Sequence, residues 1–275
     1  MMASALHVFP SPATGRSALA GIEGVVPASR LGVRPQPETI PTGIPQVDEL
    51  TGGVPRGSLT EIFGPASSGR TSLLFALMAQ ATAREEVCAL VDASDAFDPH
   101  SAAAAGVNLQ RVLWVRCEKV LRFKFHVSRT LRETSNVKRE MFSRVEQALR
   151  AADLLLQAGG LGLVVMDLGD IPPAIARRVP LASWFRFRRA VENTATALVV
   201  VEQEASAKSC ASLVLKTQQS AVSNQQSAKT RIVPTHTRLL CGMQLEIEVL
   251  NSRMRQRNPV RSVTASFESR ASWVG

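Results

Sequence analysis

Long apolar runs are missing from this chain of 275 residues. None approaches the ~20 residues that span a bilayer. The longest, such as that from Leu161 to Leu168, is strand-sized, so no membrane partner is expected. Paired cysteines are missing too. Cys88, Cys117, Cys210 and Cys241 lie far apart with no Cys-x-x-Cys, which argues against a zinc site or a disulfide framework and for reduced thiols in a cytoplasm. No internal repeat is visible. Acids are in deficit: 23 Asp and Glu stand against 32 Lys and Arg, a formal charge of +9, which favours an anionic partner, nucleic acid before acidic protein. The deficit is marked near the start, where Glu23 is the one acid before Glu38. Residues 1–37, rich in Ala, Ser, Gly and Pro, are expected to be a flexible segment. Their basic, serine-containing character has something of a transit peptide, but Pro10, Pro12 and Pro27 spoil an amphipathic helix.

What the chain has in quantity is apolar residue content, 45%, enough for one large buried core over residues 38–275. Short apolar runs alternate with helical patterns. Strands are predicted at Leu59 to Phe63, Val87 to Val91, Val112 to Val115, Leu163 to Met166 and Leu198 to Val201. Helices are predicted at Thr71 to Arg84, Pro99 to Ala105, Lys138 to Gln157 and Trp184 to Asn193. Near-continuous apolar strands between helices predict an α/β fold with a mostly parallel twisted sheet and helices on both faces. The Gln- and Ser-rich stretch from about 216 to 237 reads as a polar mobile loop.

A lysine is missing where it matters most. Gly64 to Thr71 reads GPASSGRT, a phosphate-binding loop in which Arg70 stands at the lysine position. In such a loop glycines let backbone N–H groups converge on phosphate, the cation reaches the outer phosphates and the hydroxyl holds Mg²⁺. An apolar strand precedes it and a breaker-free helix follows, so the helix N-terminus adds its partial positive charge. Candidate nucleotide-binding residues are Gly64, Pro65, Ala66, Ser67, Ser68, Gly69, Arg70, Thr71 and Ser72. A plain strand-to-helix turn is the bland alternative.

Ligands in such sheets sit at the carboxyl ends of strands. Asp92, Asp167 and Gln203 fall there. Asp167 is placed to hold Mg²⁺ opposite Thr71, or else to cap the loop that follows it. Basic residues gather from Arg122 to Arg139, Arg177 to Arg189 and Arg253 to Arg261. In the middle cluster Trp184, Phe185 and Phe187 alternate with arginines. Either the aromatics stack on bases while arginines neutralise phosphates, or this is an amphipathic helix with its aromatics in the core.

Thr42-Gly43, Asp48, the glycine-rich run from Gly52 to Gly57, EIFGPASSG, VDASDAFDP and Gly106-Val107 together resemble the nucleotide-binding core of the bacterial RecA recombinase family. The resemblance extends over residues 38–205. AKSCASLVLK and LEIEVLNSRMRQR look more like the RecA-like accessory proteins of mutagenic, translesion repair cassettes. This likeness implies a RecA-like P-loop NTPase core, ATP with Mg²⁺ as cofactor, and a cytoplasmic bacterial role in recombination or the SOS response to DNA damage. Implied partners are single-stranded DNA, a recombinase filament, an error-prone polymerase, and further copies of the chain in a homo-oligomer.

The resemblance also marks departures. The glutamate that activates water in the family falls at Ser94, and a hydroxyl is no general base at neutral pH. The adenine-stacking aromatic falls at Ser101, while the polar adenine contact is kept as Asp98. Gln203 matches the γ-phosphate sensor and implies a switch. Arginine is not a conservative replacement for a phosphate-bridging lysine, and losing such a group costs ~10² to 10³ in rate. The resemblance therefore implies nucleotide binding with weak or absent hydrolysis; an active DNA-dependent ATPase and a ligand-free interaction module are the alternatives. It places DNA contacts in two loops, 171–187 with Arg177, Arg178 and Arg186 and with Arg188 just beyond, and 204–238 with Lys208.

Overall fold

The computed structural model describes residues 37–117, 133–219, 242–252 and 262–268. The expected flexible segment before residue 37, most of the basic cluster from Arg122 to Arg139, that from Arg253 to Arg261, and Cys241 lie outside the described residues.

The chain enters through a small antiparallel pair, β1 (Thr39–Ile40) and β2 (Val54–Pro55), which brackets helix α1 (Pro45–Thr51). The Thr-Gly and Asp of that entry have a structural use. Asp48 accepts hydrogen bonds from Thr42 N (2.7 Å), Thr42 Oγ1 (2.8 Å) and Gly43 N (3.1 Å), closing the turn before α1. Next come β3 (Ser58–Phe63), α2 (Arg70–Ala83), β4 (Cys88–Asp92), α3 (Pro99–Ala104) and β5 (Val112–Arg116). Then follow α4 (Glu133–Ala158), β6 (Leu163–Asp167), α5 (Pro173–Ala176), α6 (Leu181–Val191), β7 (Ala197–Glu202), β8 (Leu213–Gln219), β9 (Gly242–Ser252) and β10 (Ser262–Glu268).

Eight strands make one sheet in the order β10-β9-β8-β3-β7-β6-β4-β5. The six from β8 to β5 run parallel, and β9 and β10 extend the β8 edge in antiparallel sense. The fold is thus the expected α/β, RecA-like core. Alternation along each strand separates two cores. Leu59, Ala89, Val91, Val164, Met166, Leu198 and Val200 face α4, α5 and α6. Ile62, Cys88, Leu90, Leu163, Val165, Val199 and Val201 face α1, α2 and α3. The helices answer with apolar stripes at helical spacing: Leu73, Leu74, Leu77, Met78 and Ala81 in α2, and Val145, Ala148, Ala152 and Leu156 in α4, each buried side chain adding about 1.5–3 kcal/mol when large.

One boundary is corrected. The polar stretch expected as a loop from about 216 continues strand β8 through Gln219, and residues 220–241 lie outside the described residues. Its polarity reflects cross-strand pairing rather than mobility. Gln218 Nε2 donates to Glu246 Oε2 (2.8 Å), Lys216 lies 3.9 Å from Glu248, and Thr217 is fully buried. This also removes Lys216 from any loop after Gln203.

Candidate functional site

At the carboxyl end of β3 the chain turns through Gly64–Gly69 into α2. Pro65, Ala66 and Ser67 are exposed, whereas Ser68 and Gly69 are buried. Gly69 sits at φ 83°, in the left-handed region, and caps α2 with no side-chain hydrogen bond. The first-turn amides are thus free of a side-chain cap, as a phosphate cradle requires. Both glycines are also fixed by close approach. A Cβ on Gly64 would come within 2.2 Å of Thr217 O, and one on Gly69 within 2.0 Å of Leu245 Cδ1. Strands β8 and β9 therefore buttress the loop. The Ser68 hydroxyl is spent on this buttress, 2.8 Å from Thr217 Oγ1, while Thr71 is exposed and Ser72 half-buried at the start of α2.

Arg70 turns away from the exposed tip of the loop. The residue is 8% exposed, and Nη1 donates to Glu202 O (2.7 Å) and Gly169 O (3.1 Å), at the end of β7 and just past that of β6. Burial lowers its pKa, against the attraction of Asp167 and Asp170. The Glu202 carbonyl also accepts Gly64 N at 3.2 Å, so loop and strand β7 are tied at two points. Gln203, the expected switch, is the next residue and is half-buried.

Asp167 ends β6, and its Oδ1 accepts Gly169 N at 2.8 Å. That is the loop-capping role held open above. Burial pushes its carboxyl up to about 6, and Arg70 pulls it back. Asp92, its register partner on β4, does similar work, accepting the amides of Ser94, Ala96 and Phe97 and the Trp114 indole N–H.

Among the described residues, neither Ser94 nor Asp95 presents a free carboxylate where the resemblance implies a general base. Ser94 Oγ is buried with no hydrogen-bond partner, and Arg144 Nη1 lies over the Ser94 carbonyl at 3.3 Å. Asp95 is turned to the sheet edge, where Arg116 holds it by two hydrogen bonds of 2.7 and 2.8 Å and keeps it below the usual carboxylate range. Asp98 caps α3 and accepts the Ser101 hydroxyl and the amides of His100 and Ser101, which hold its pKa low, the hydroxyl most. Ser101 thus supports Asp98 and presents no stacking face.

The stretch 171–187 expected as a DNA loop is mostly helical, α5 and α6. Proline at the first positions of α5 favours this, because its fixed φ suits a helix start. Within α6, Trp184 and Phe187 are fully buried and pack edge to face at 6.1 Å. The amphipathic-helix alternative therefore holds, and of the three aromatics Phe185, at 43%, is the exposed one. The arginines are dispersed. Arg177 pairs with Glu204, Arg178 lies over the Phe142 ring (4.8 Å), Arg186 pairs with Asp153 (3.0 Å), and Arg188 is half-buried. The Arg177–Glu204 pair nonetheless joins the segment after Asp167 to the one after Gln203. Of the second expected loop, residues 204–212 precede β8 and residues 220–238 lie outside the described residues; exposed Lys208 opens a single 3₁₀ turn.

Sequence reasoning did not single out Thr217, Leu245, Gly169 or Glu202. For Leu245 a signal existed, since Leu245, Ile247 and Val249 alternate with Glu246 and Glu248, a half-buried strand.

Mg²⁺ at Thr71 and Asp167 was implied by the resemblance. The arrangement at Asp167 does not suit a dication, because Asp167 and the fixed positive charge of Arg70 both hydrogen-bond the same residue, Gly169. No helix among the described residues is long and apolar enough to cross a membrane.

Comparison with known proteins agrees with this geometry. Residues 24–120 match the model of the RecA N-terminal domain. The chain is 31% identical over 192 residues to Protein RecA of Chloroflexus aurantiacus, covering 64% of this chain and 46% of that one. It is 35% identical over 158 residues to Protein RecA of Rickettsia bellii (55% and 39%) and 35% over 185 residues to that of Kineococcus radiotolerans (63% and 44%). The chain spans less than half the length of these relatives. Loop, strand-end residues and sequence kinship together support the bacterial RecA family as the one to which this chain is related.

Proposed function

We propose that the protein is a RecA-like nucleotide-binding component of bacterial DNA repair or recombination that holds ATP without brisk hydrolysis. It acts as a cytoplasmic accessory to single-stranded DNA, a recombinase filament or a translesion polymerase. The observation that carries this reading is the anchoring of Arg70. A cation bonded to two backbone carbonyls inside the fold cannot follow a phosphoryl group through transfer, and electrostatic stabilisation of that group is the larger part of such catalysis. Ser94 and the pairing of Asp95 with Arg116 remove the base. The cradle of Gly64 to Ser72, with Asp98 at its flank, supports binding, and kinship to RecA proteins supports the repair setting. The subtype rests on the likeness to mutagenic-cassette accessory proteins.

An active DNA-dependent ATPase is the competing reading, favoured by Gln203 at the end of β7 beside the anchored loop. Turnover measured with and without single-stranded DNA separates the two. Binding by calorimetry with turnover slower than the few per minute of a working ATPase supports the proposal; DNA-stimulated turnover abolished in Arg70→Ala refutes it.

A further inference from the structure

The position of Arg70 has a second consequence, for the ligand's metal. Asp167 and Arg70 meet at one residue, Gly169: its N–H binds the Asp167 carboxylate (2.8 Å) and its carbonyl accepts the guanidinium (3.1 Å). A Cβ on Gly169 would lie 2.9 Å from Asp167 Oδ1 and 3.5 Å from Arg70 Nη1. The carboxylate that would hold a metal thus already faces a positive charge, with Asp170 adding a second acid to the balance. A dication at Asp167 would repel that guanidinium across Gly169 in a partly buried site, where charge interactions are stronger than in water. To retreat, the arginine would have to give up two hydrogen bonds in which donor or acceptor is charged. Mg²⁺ also demands near-ideal octahedral geometry, whereas one Asp167 oxygen is committed to Gly169 N.

Both hydrogen bonds of Arg70 leave from Nη1, and a guanidinium carries five N–H donors in a rigid fork. Anchored by one arm, it keeps Nη2 and Nε for a phosphate oxygen. We propose that the Arg70 guanidinium stands in for the divalent cation at this loop, so that the protein takes a nucleoside triphosphate in its metal-free form. The inference rests on the nucleotide-binding reading above and deepens it. It also supplies a further reason for slow hydrolysis, because the metal that neutralises the leaving oxygens is not recruited.

Calorimetric titration of the full chain with ATP, once in excess EDTA and once in millimolar MgCl₂, tests this directly. The expected result is equal affinity within about threefold. Binding tightened about tenfold or more by Mg²⁺ overturns the inference while leaving the nucleotide reading intact. No binding in either buffer overturns both. Arg70→Lys supplies the second arm: a shorter ammonium frees Asp167, so this variant is expected to bind ATP more tightly with Mg²⁺ than without. A folded Arg70→Lys protein indifferent to Mg²⁺ shows that Arg70 is not the cause and ends the proposal. Should that variant fail to fold, the comparison of the two buffers on the unaltered protein still decides.

Discussion

Replacing Glu202 by glutamine should make the protein more stable at alkaline pH and nearly remove one component of its pH dependence. Glu202 closes β7 with its side chain fully buried, on the same sheet face as buried Glu61 of β3. Glu61 Oε1 accepts the amides of Ser206 and Ala207, and Glu202 Oε1 accepts the Ser206 hydroxyl at 2.8 Å, but Oε2 of each is buried without a partner. Burial raises the pKa of Glu61 too, but its two amide donors work against that, so Glu202 is the carboxyl that holds its proton more firmly. Burial, with the like charge of Glu61, pushes Glu202 from 4.5 up to about 8, against the Ser206 hydrogen bond. The folded state therefore binds one more proton than the unfolded chain between those values. Linkage then makes stability fall as pH rises through that window, with the loss complete above about 8. At about 1.4 kcal/mol per pH decade the loss comes to on the order of 5 kcal/mol. Glutamine keeps an acceptor for Ser206 and carries no charge. Urea unfolding at steps from about pH 5 to about pH 9 gives ΔG for both proteins, and their difference reports Glu202 together with its coupling to Glu61, because Asp167, whose pKa is raised in the same direction, is common to both. Parallel curves, with no gain for Glu202→Gln at high pH, would refute the buried-acid reasoning.

Trp184→Ala removes a fully buried ring between α6 and the sheet and is expected to cost about 3–5 kcal/mol in urea unfolding; a loss under about 1 kcal/mol would return the ring to the surface role once open to it. Gly69→Ala combines left-handed backbone strain with collision against Leu245 Cδ1, a cost of about 2–4 kcal/mol. In a Leu245→Ala background the cost should shrink, and a double-mutant cycle with no coupling would disprove the contact.

The central strands were readable because both of their faces are buried, so Leu163 to Met166 and Leu198 to Val201 are apolar without interruption. At the β8 edge the same physics hid the strand. Lys216 and Gln218 pair with Glu248 and Glu246 across the ladder, so an ordered element reads as a polar linker. Period-two alternation in β9 carried the missing signal. The loop itself was legible from its glycines and flanks, and Ser94 and Ser101 from the motif they interrupt. Where the Arg70 guanidinium points was not legible, because its acceptors are the backbone carbonyls of residues 99 and 132 positions away. Backbone acceptors have no side-chain signature. The alternation of arginine and aromatic residues in α6 was ambiguous for a related reason: helical periodicity sends Trp184 and Phe187 to one face and Phe185 to another.

Arginine in place of lysine at position 70 preserves charge, and charge alone would predict a preserved function. The consequence depends on reach. A planar fork at the first residue of α2 extends past the loop to the ends of β6 and β7, where strand-end carbonyls lack a strand partner and a guanidinium offers donors at the right spacing. That docking constrains its surroundings. A Cβ on Gly169 would press on Asp167 Oδ1 at 2.9 Å while meeting Arg70 Nη1 in ordinary contact at 3.5 Å, and the acid that ends β6 comes to share Gly169 with an arginine. The same contact also makes Glu202, and with it the start of the Gln203 segment, part of the loop's support. A phosphate that drew Arg70 outward would loosen β7's end, where Glu204 pairs with Arg177. Arg70 is thus a structural link between the loop and the segments that follow β6 and β7. Slow turnover and retained nucleotide binding, as proposed above, would both follow from that one position.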